Sequence, residues 1–162
     1  MAKTVTATKL IRVAPGTIWK KWCDLPHWAR WQPGTIEARW LEGTPWEPGS
    51  TFILLRRGPF RLLQRFPGME ARRFVGKVLS VAEEQLLVWE LTPTSIAWFG
   101  PVVVESVRLD PAPGGTTVLL TLTAHGLGPT LFSFFLGGPL KAQVEATLEG
   151  LHRDLASAER RL

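Results

Sequence analysis

The end of the chain carries the pattern that most constrains the fold, which is a single apolar stripe at helical spacing. The apolar residues there follow one another at intervals of four, four, three and four positions: Leu140, Val144, Leu148, Leu151 and Leu155. They therefore share one face of an amphipathic helix. We predict that this helix begins at Pro139, after a break at Gly137-Gly138, and that its roughly 24 residues span about 36 Å.

Before this helix, the sequence reads as seven strands with two short helices after the first. The pattern predicts strands over 3–13, which is rich in Thr and Val, and over 35–41, 50–57, 71–81, 86–92, 98–109 and 116–124. Pro15 suits the first turn of one short helix, and Asp24 suits the cap of the other. An antiparallel sheet of this size needs one face covered, and the C-terminal helix is the only predicted element large enough. We expect one α+β domain over residues 1–162, in which a curved seven-stranded antiparallel sheet wraps around that helix.

Four of the eight tryptophans lie in the short-helix region, at positions 19, 22, 28 and 31. An indole has a large apolar body and one N–H that needs a partner when buried. We expect Trp19 and Trp22 to anchor the first helix to the core. Trp28 and Trp31 are expected to line a gap between sheet and helix, which the short helices must close. Plain packing is the alternative for each of them.

The entire net charge of +5 lies within residues 56–73, while the rest of the chain is balanced. Against a single acidic residue, Glu70, this segment has six arginines: Arg56, Arg57, Arg61, Arg65, Arg72 and Arg73. It is either a solvated loop or a basic patch that attracts an anionic ligand or an anionic membrane surface. Phe60 and Phe66 lie among the arginines, as in interfacial segments. Nucleic acid is the least favoured partner, because no nucleic-acid-binding module is recognisable.

The order of these features resembles that of the START-like (SRPBCC) superfamily, which includes the polyketide cyclase/dehydrase and lipid-transport proteins. The segments that carry the resemblance are the opening strand, Ala14-Pro15, Ile18-Trp19, Trp31-Gln32-Pro33, Pro48-Gly49-Ser50, Gly76-Lys77-Val78, Leu87-Val88-Trp89 and the terminal helix. The resemblance implies a helix-grip fold with a hydrophobic cavity between sheet and helix, used for lipids, quinones or polyketides. It implies no shared catalytic set, and the long segment 57–73 departs from it.

The residues that we expect to contact a ligand border this gap or belong to the basic segment. They are Trp28, Trp31, Arg56, Phe60, Phe66, Trp89, Trp98, Glu105, Phe132 and Phe135. Glu105 alternates with Val103 and Val107, so it would be a general acid or polar anchor if that face points inward. Glu90 is a second candidate on its own strand. The alternative for either residue is a face turned to solvent or to an arginine.

Other chemistry has little support in the sequence. The three histidines share no ligand spacing, and CxxC and HExxH motifs are absent, so we predict neither a metal nor a cofactor. Cys23 is the only cysteine and is expected to act as a small apolar side chain. A single cysteine and the absence of a signal-like segment lead us to expect a cytoplasmic protein.

These observations lead us to expect a protein that binds a small hydrophobic or amphipathic molecule without catalysis. One alternative is a cyclase or dehydratase acting on polyketide-like substrates, with Glu105 as the candidate catalytic group. The other is an interaction module that uses residues 56–73.

Overall fold

A computed structural model describes residues 2–57, 71–94, 102–126 and 129–161, with only the backbone described for 129–139. In chain order the elements are β1 (Ala2–Ile11), α1 (Pro15–Cys23), a 3-10 turn (Leu25–His27), α2 (Trp28–Trp31), β2 (Thr35–Glu42), β3 (Thr51–Arg57), β4 (Ala71–Ala82), β5 (Leu86–Pro93), β6 (Val102–Ala112), β7 (Gly115–His125) and α3 (Pro129–Glu159).

The strands form one antiparallel sheet in the order β1-β7-β6-β5-β4-β3-β2. Strands β2 to β7 run as a meander, and β1 returns beside β7 in a register that joins Ala2 to His125 and Ile11 to Thr116. The edge strands are therefore β1 and β2. Helices α1 and α2 lie in the connection that crosses from one edge of the sheet to the other, so they close the space beside α3.

Helix α3 covers one face of the sheet and packs mainly against β1 and β7. Its apolar stripe is buried, with Val144, Leu148, Leu151 and Leu155 each at most 4% exposed. Burial of each such side chain contributes about 1.5–3 kcal/mol. The ion pair between Lys9 of β1 and Glu149 ties the helix to the edge strand. The predicted α+β helix-grip architecture is confirmed.

Two local predictions are wrong. Helix α3 begins at Pro129 and continues through Gly137-Gly138-Pro139, where we expected a break. Proline fixes φ near −65°, which is a helical value, so the helix loses a backbone hydrogen bond there without having to end. Asp24 also makes no side-chain cap, because its carboxylate pairs with the ring Nδ1 of His27.

Helix α3 crosses the short helix α2 at Gly150. A Cβ atom on Gly150 would lie 2.1 Å from the carbonyl oxygen of Trp31 and 3.0 Å from Cδ of Pro33. The two backbones can therefore approach this closely only because residue 150 has no side chain. This contact helps to position Trp31 and the residue that follows it, Gln32.

We expect Gly150→Ala to lower the free energy of unfolding by about 1–3 kcal/mol, because a backbone carbonyl cannot move aside as a side chain can. Denaturation in urea measures this loss. Gly16→Ala in α1 is a matched control, since its Cβ would meet only the end of the exposed, flexible Glu84 side chain. Equal stability of the two variants would contradict the close contact.

Candidate ligand-binding site

Six tryptophans and one phenylalanine form a continuous aromatic cluster between the short helices and the sheet. Its members are Trp22, Trp28, Trp31, Trp40, Trp46, Phe52 and Trp89, with ring centroids 4.9–6.4 Å apart. Most of the pairs meet edge to face, which is a favoured arrangement of aromatic rings. Trp28 and Trp89 are completely buried. The cluster therefore fills much of the space where a larger cavity could have formed.

Three of the indole N–H groups in the cluster donate hydrogen bonds. Trp28 Nε1 donates to the carbonyl oxygen of Trp22 at 2.9 Å, and Trp46 Nε1 donates to that of Cys23 at 2.7 Å. Both bonds fix the end of α1. Trp89 Nε1 donates to Oε2 of Glu105 at 3.0 Å, and this bond joins the cluster to the charged groups beside it.

Glu105 points to the interior and pairs with Arg56. The Glu105 residue is 4% exposed, and its two carboxylate oxygens lie 2.5 and 3.1 Å from Nη1 and Nη2 of Arg56. Arg56 is on β3 and Glu105 on β6, so β4 and β5 lie between them. Three strand intervals amount to roughly 14 Å in a flat sheet. The sheet must therefore be curved for the two side chains to meet across its concave face.

The pair borders a small pocket between the sheet and α3, which we call the Arg56–Glu105 recess. Its polar lining consists of Trp22, Gln32, Arg56, Glu105, Gln143 and Thr147. Its apolar lining consists of Leu120, Leu122 and Val144. The cavity volume is about 10 Å³, which is about the room that one water molecule needs.

The described residues that we expected to contact a ligand divide into two groups. Arg56 and Glu105 line the recess. Trp28, Trp31 and Trp89 lie in the aromatic cluster and are not among the residues that line it, and their role as ligand contacts stays a prediction. Phe60, Phe66 and Trp98, together with the side chains of Phe132 and Phe135, fall outside the described residues.

Several residues that line the recess were missed by reasoning from the sequence. Trp22 was assigned to the core alone, yet it is both buried and part of the recess. Gln143 and Thr147 lie four residues apart beside the apolar stripe of α3, and that helical spacing was the available signal. For Gln32, the only sequence feature that could have indicated a place in the recess is its position directly after Trp31. Glu90 is half-buried on the face opposite Trp89, so it does not share the interior with Glu105.

The basic segment is only partly described. Arg57 and Arg73 are exposed, and Arg61 and Arg65 fall outside the described residues. Arg72 lies directly opposite Arg56 in the pairing of β3 with β4, and burial lowers its pKa. Attraction of an anionic surface by these arginines stays a prediction. In the described part of the chain, no helix is long and apolar enough to cross a membrane, and no three His, Cys, Asp or Glu side chains converge as metal ligands would.

The chain belongs to a known family. Residues 2–158 match the family described as "Polyketide cyclase / dehydrase and lipid transport", and this membership agrees with the resemblance seen in the sequence. A comparison with curated proteins found no match to this chain.

Solved structures share the fold at low sequence identity. The aromatase/cyclase ZhuI from Streptomyces sp. R1128 has 15% identity and a TM-score of 0.73, and the match covers 99% of this chain and 96% of that one. The major latex-like protein 151 of Panax ginseng has 12% identity and a TM-score of 0.70, with coverage of 98% and 97%. Ara h 8.0201 has 13% identity and a TM-score of 0.74, with coverage of 97% and 99%. At such identities the likeness shows the fold alone.

We expect Glu105→Leu to destabilise the protein by about 3–5 kcal/mol, because it leaves the Arg56 guanidinium buried without its carboxylate. The double variant Arg56→Met/Glu105→Leu should lose clearly less than the sum of the two single variants, since it removes both charges. Chemical denaturation of all four proteins measures the coupling.

The exposed pair Arg108–Asp110 provides the control for this cycle. Asp110→Ala is expected to change the stability by no more than about 1 kcal/mol. If Glu105→Leu were as mild as Asp110→Ala, the proposed weight of the buried pair would be wrong.

Cys23 is expected to be a poor nucleophile. Burial, with a smaller contribution from the charge of Glu83, raises the pKa of Cys23 to about 11 from the ordinary 9.0. Because the thiolate is the reactive form, alkylation by iodoacetamide at pH 8 should be about 100-fold slower than with a free thiol. Unfolding in urea should restore the ordinary rate. Equal rates in the folded and unfolded protein would refute the shift.

Proposed function

We propose that this protein binds a small hydrophobic or amphipathic molecule, one end of which enters the Arg56–Glu105 recess. The observation that carries the proposal is a recess with buried polar groups on the concave face, enclosed by α3. Leu120, Leu122 and Val144 provide an apolar surface beside those groups. Such a combination of apolar walls and a few placed polar groups is typical of small-molecule sites. Membership of a family described by polyketide and lipid chemistry supports it.

The size of the recess limits how a ligand can enter. A volume of about 10 Å³ accepts an oxygen atom or a group of similar size, not a whole lipid, quinone or polyketide. The body of the ligand must therefore lie outside the recess or displace side chains that line it. Gln143 is only half-buried, and the Arg56 side chain is 13% exposed, so these two residues mark its accessible side.

The contacts of Glu105 favour binding without catalysis over an enzymatic role. Its carboxylate accepts two hydrogen bonds from Arg56 and one from Trp89, so its oxygens are already engaged as a polar anchor. The alternative is an enzyme of the cyclase or dehydratase kind. A carboxylate in the recess favours it, as does the structural likeness to a protein named as an aromatase/cyclase. Turnover of a linear polyketide analogue that is lost in Glu105→Gln would support this alternative.

A membrane surface as a partner is proposed on narrower grounds. Arg57 and Arg73 are exposed at diagonal positions of the paired strands β3 and β4, where two cations can meet anionic headgroups. Sedimentation with anionic vesicles at low and at high salt would test it.

A larger side chain at position 143 tests the site. We expect Gln143→Trp to fill the accessible side of the recess and to weaken ligand binding at least about tenfold, since the ligand end no longer enters. Lys141→Trp adds the same side chain to an exposed position of α3 and should leave binding unchanged.

Affinities come from native mass spectrometry and fluorescence titration with a fatty acid, a naphthoquinone and 2-acetylnaphthalene. The proposal would be overturned if the unmodified protein bound none of the three compounds. Equal affinities in the two tryptophan variants would also overturn it.

A further inference from the structure

Two residues that line the recess each carry a buried hydrogen-bond donor with no partner among the described residues. The amide of Gln32, a residue only 3% exposed, accepts a hydrogen bond from Oγ1 of Thr35 at 3.2 Å through Oε1, while its Nε2 makes none. Trp22 is 1% exposed, and its Nε1 makes none either. Both residues line the recess. An unpaired buried donor is costly, and native proteins leave few of them.

The other polar groups of the recess do not serve these donors. Glu105 accepts from Arg56 and Trp89, and the hydroxyl of Thr147 donates to the backbone carbonyl of Gln143 in its own helix. Two residues of the recess lining therefore keep an N–H group without a partner, beside a charge pair whose carboxylate already accepts three hydrogen bonds. What Gln32 Nε2 and Trp22 Nε1 lack is a hydrogen-bond acceptor among the described residues.

We infer that the recess binds the carbonyl oxygen of a ketone or quinone, held by Gln32 Nε2 and Trp22 Nε1. A carbonyl oxygen has two lone pairs and no hydrogen, so it satisfies both donors and adds no unpaired donor of its own. The volume of about 10 Å³ suits one such atom. The inference rests on the proposed function and names the chemical class of its ligand.

A carboxylate fits the recess less well than a carbonyl group. The charge of Arg56 is already balanced by Glu105 through two hydrogen bonds. The carboxylate of such a ligand would be a second buried negative charge beside Glu105. The two carboxylates would repel each other, because Arg56 is the one cation among the described residues that line the recess. A neutral carbonyl group avoids this repulsion, and the apolar residues Leu120 and Leu122 suit the hydrocarbon next to it.

An isosteric pair of probes tests the inference. 2-Acetylnaphthalene and 2-isopropenylnaphthalene differ in that a C=O group replaces a C=CH₂ group. We expect the ketone to bind the protein about tenfold more tightly or better, after correction for the transfer of each probe from water. Equal corrected affinities would overturn the inference and leave the proposed function standing. Failure of both naphthalene probes to bind would also overturn the inference, and the proposed function would fall with it only if the fatty acid and the naphthoquinone failed to bind as well.

Two variants locate the effect. Gln32→Leu removes one donor at similar volume and should reduce the preference for the ketone about three- to tenfold. Gln85→Leu makes the same chemical change at an exposed turn and should leave the preference as it was. An unchanged preference in Gln32→Leu would contradict the role of this amide.

Spectroscopy of the unmodified protein keeps the test valid even if Gln32→Leu does not fold. Two N–H donors should lower the C=O stretching frequency of bound 2-acetylnaphthalene below its value in hydrocarbon solvent. The indole N–H resonance of Trp22 should also move downfield when the ketone binds. A bound ketone with the frequency seen in hydrocarbon would mean that its carbonyl oxygen accepts no hydrogen bond from Gln32 or Trp22, and the inference would fall.

Discussion

The concave face of a curved sheet has to be filled, and in this protein two different kinds of interaction fill it. Toward α1 and α2, the filling is apolar and consists of the aromatic cluster that includes Trp28 and Trp89. Toward the end of β3, it is ionic and consists of Arg56 and Glu105. Helix α3 closes over the sheet through its apolar stripe. The recess lies where these groups meet, since Trp22, the ion pair and residues of α3 all line it.

The pair Arg56–Glu105 is more informative about geometry than about net stability. Bringing two charges out of water costs about as much as their attraction returns, so such a pair adds little over an apolar replacement. The pair determines geometry, because it joins strands three places apart in the sheet and holds the Glu105 carboxylate against Trp89. The same geometry leaves the donors of Trp22 and Gln32 without an acceptor among the described residues. Under the proposed function, the ion pair supports the structure while the two unpaired donors recognise the ligand.

Much of the architecture could be predicted because it depends on local periodicity. The strands, the two short helices and the apolar stripe each follow from the spacing of residues close together in sequence. The start of α3 could not be predicted in this way. We expected it at Pro139, but a local energetic penalty does not decide where a helix begins when a proline can be accommodated within the helix. The role of Trp22 was also missed, since a side chain can belong to a core and border a recess at once.

By itself, the sequence determined the order of elements and the need for one helix to cover one sheet, because hydrophobic patterns of period two and 3.6 leave few other arrangements. It also placed Glu105 on the same face as Val107. Only the tertiary structure decided that this face is the inner one and that Arg56 reaches Glu105 across two intervening strands. It also decided that Gln32 and Trp22 keep donors with no partner in the described part of the chain. Those facts depend on sheet curvature and on contacts between residues far apart in the chain, which no local pattern encodes.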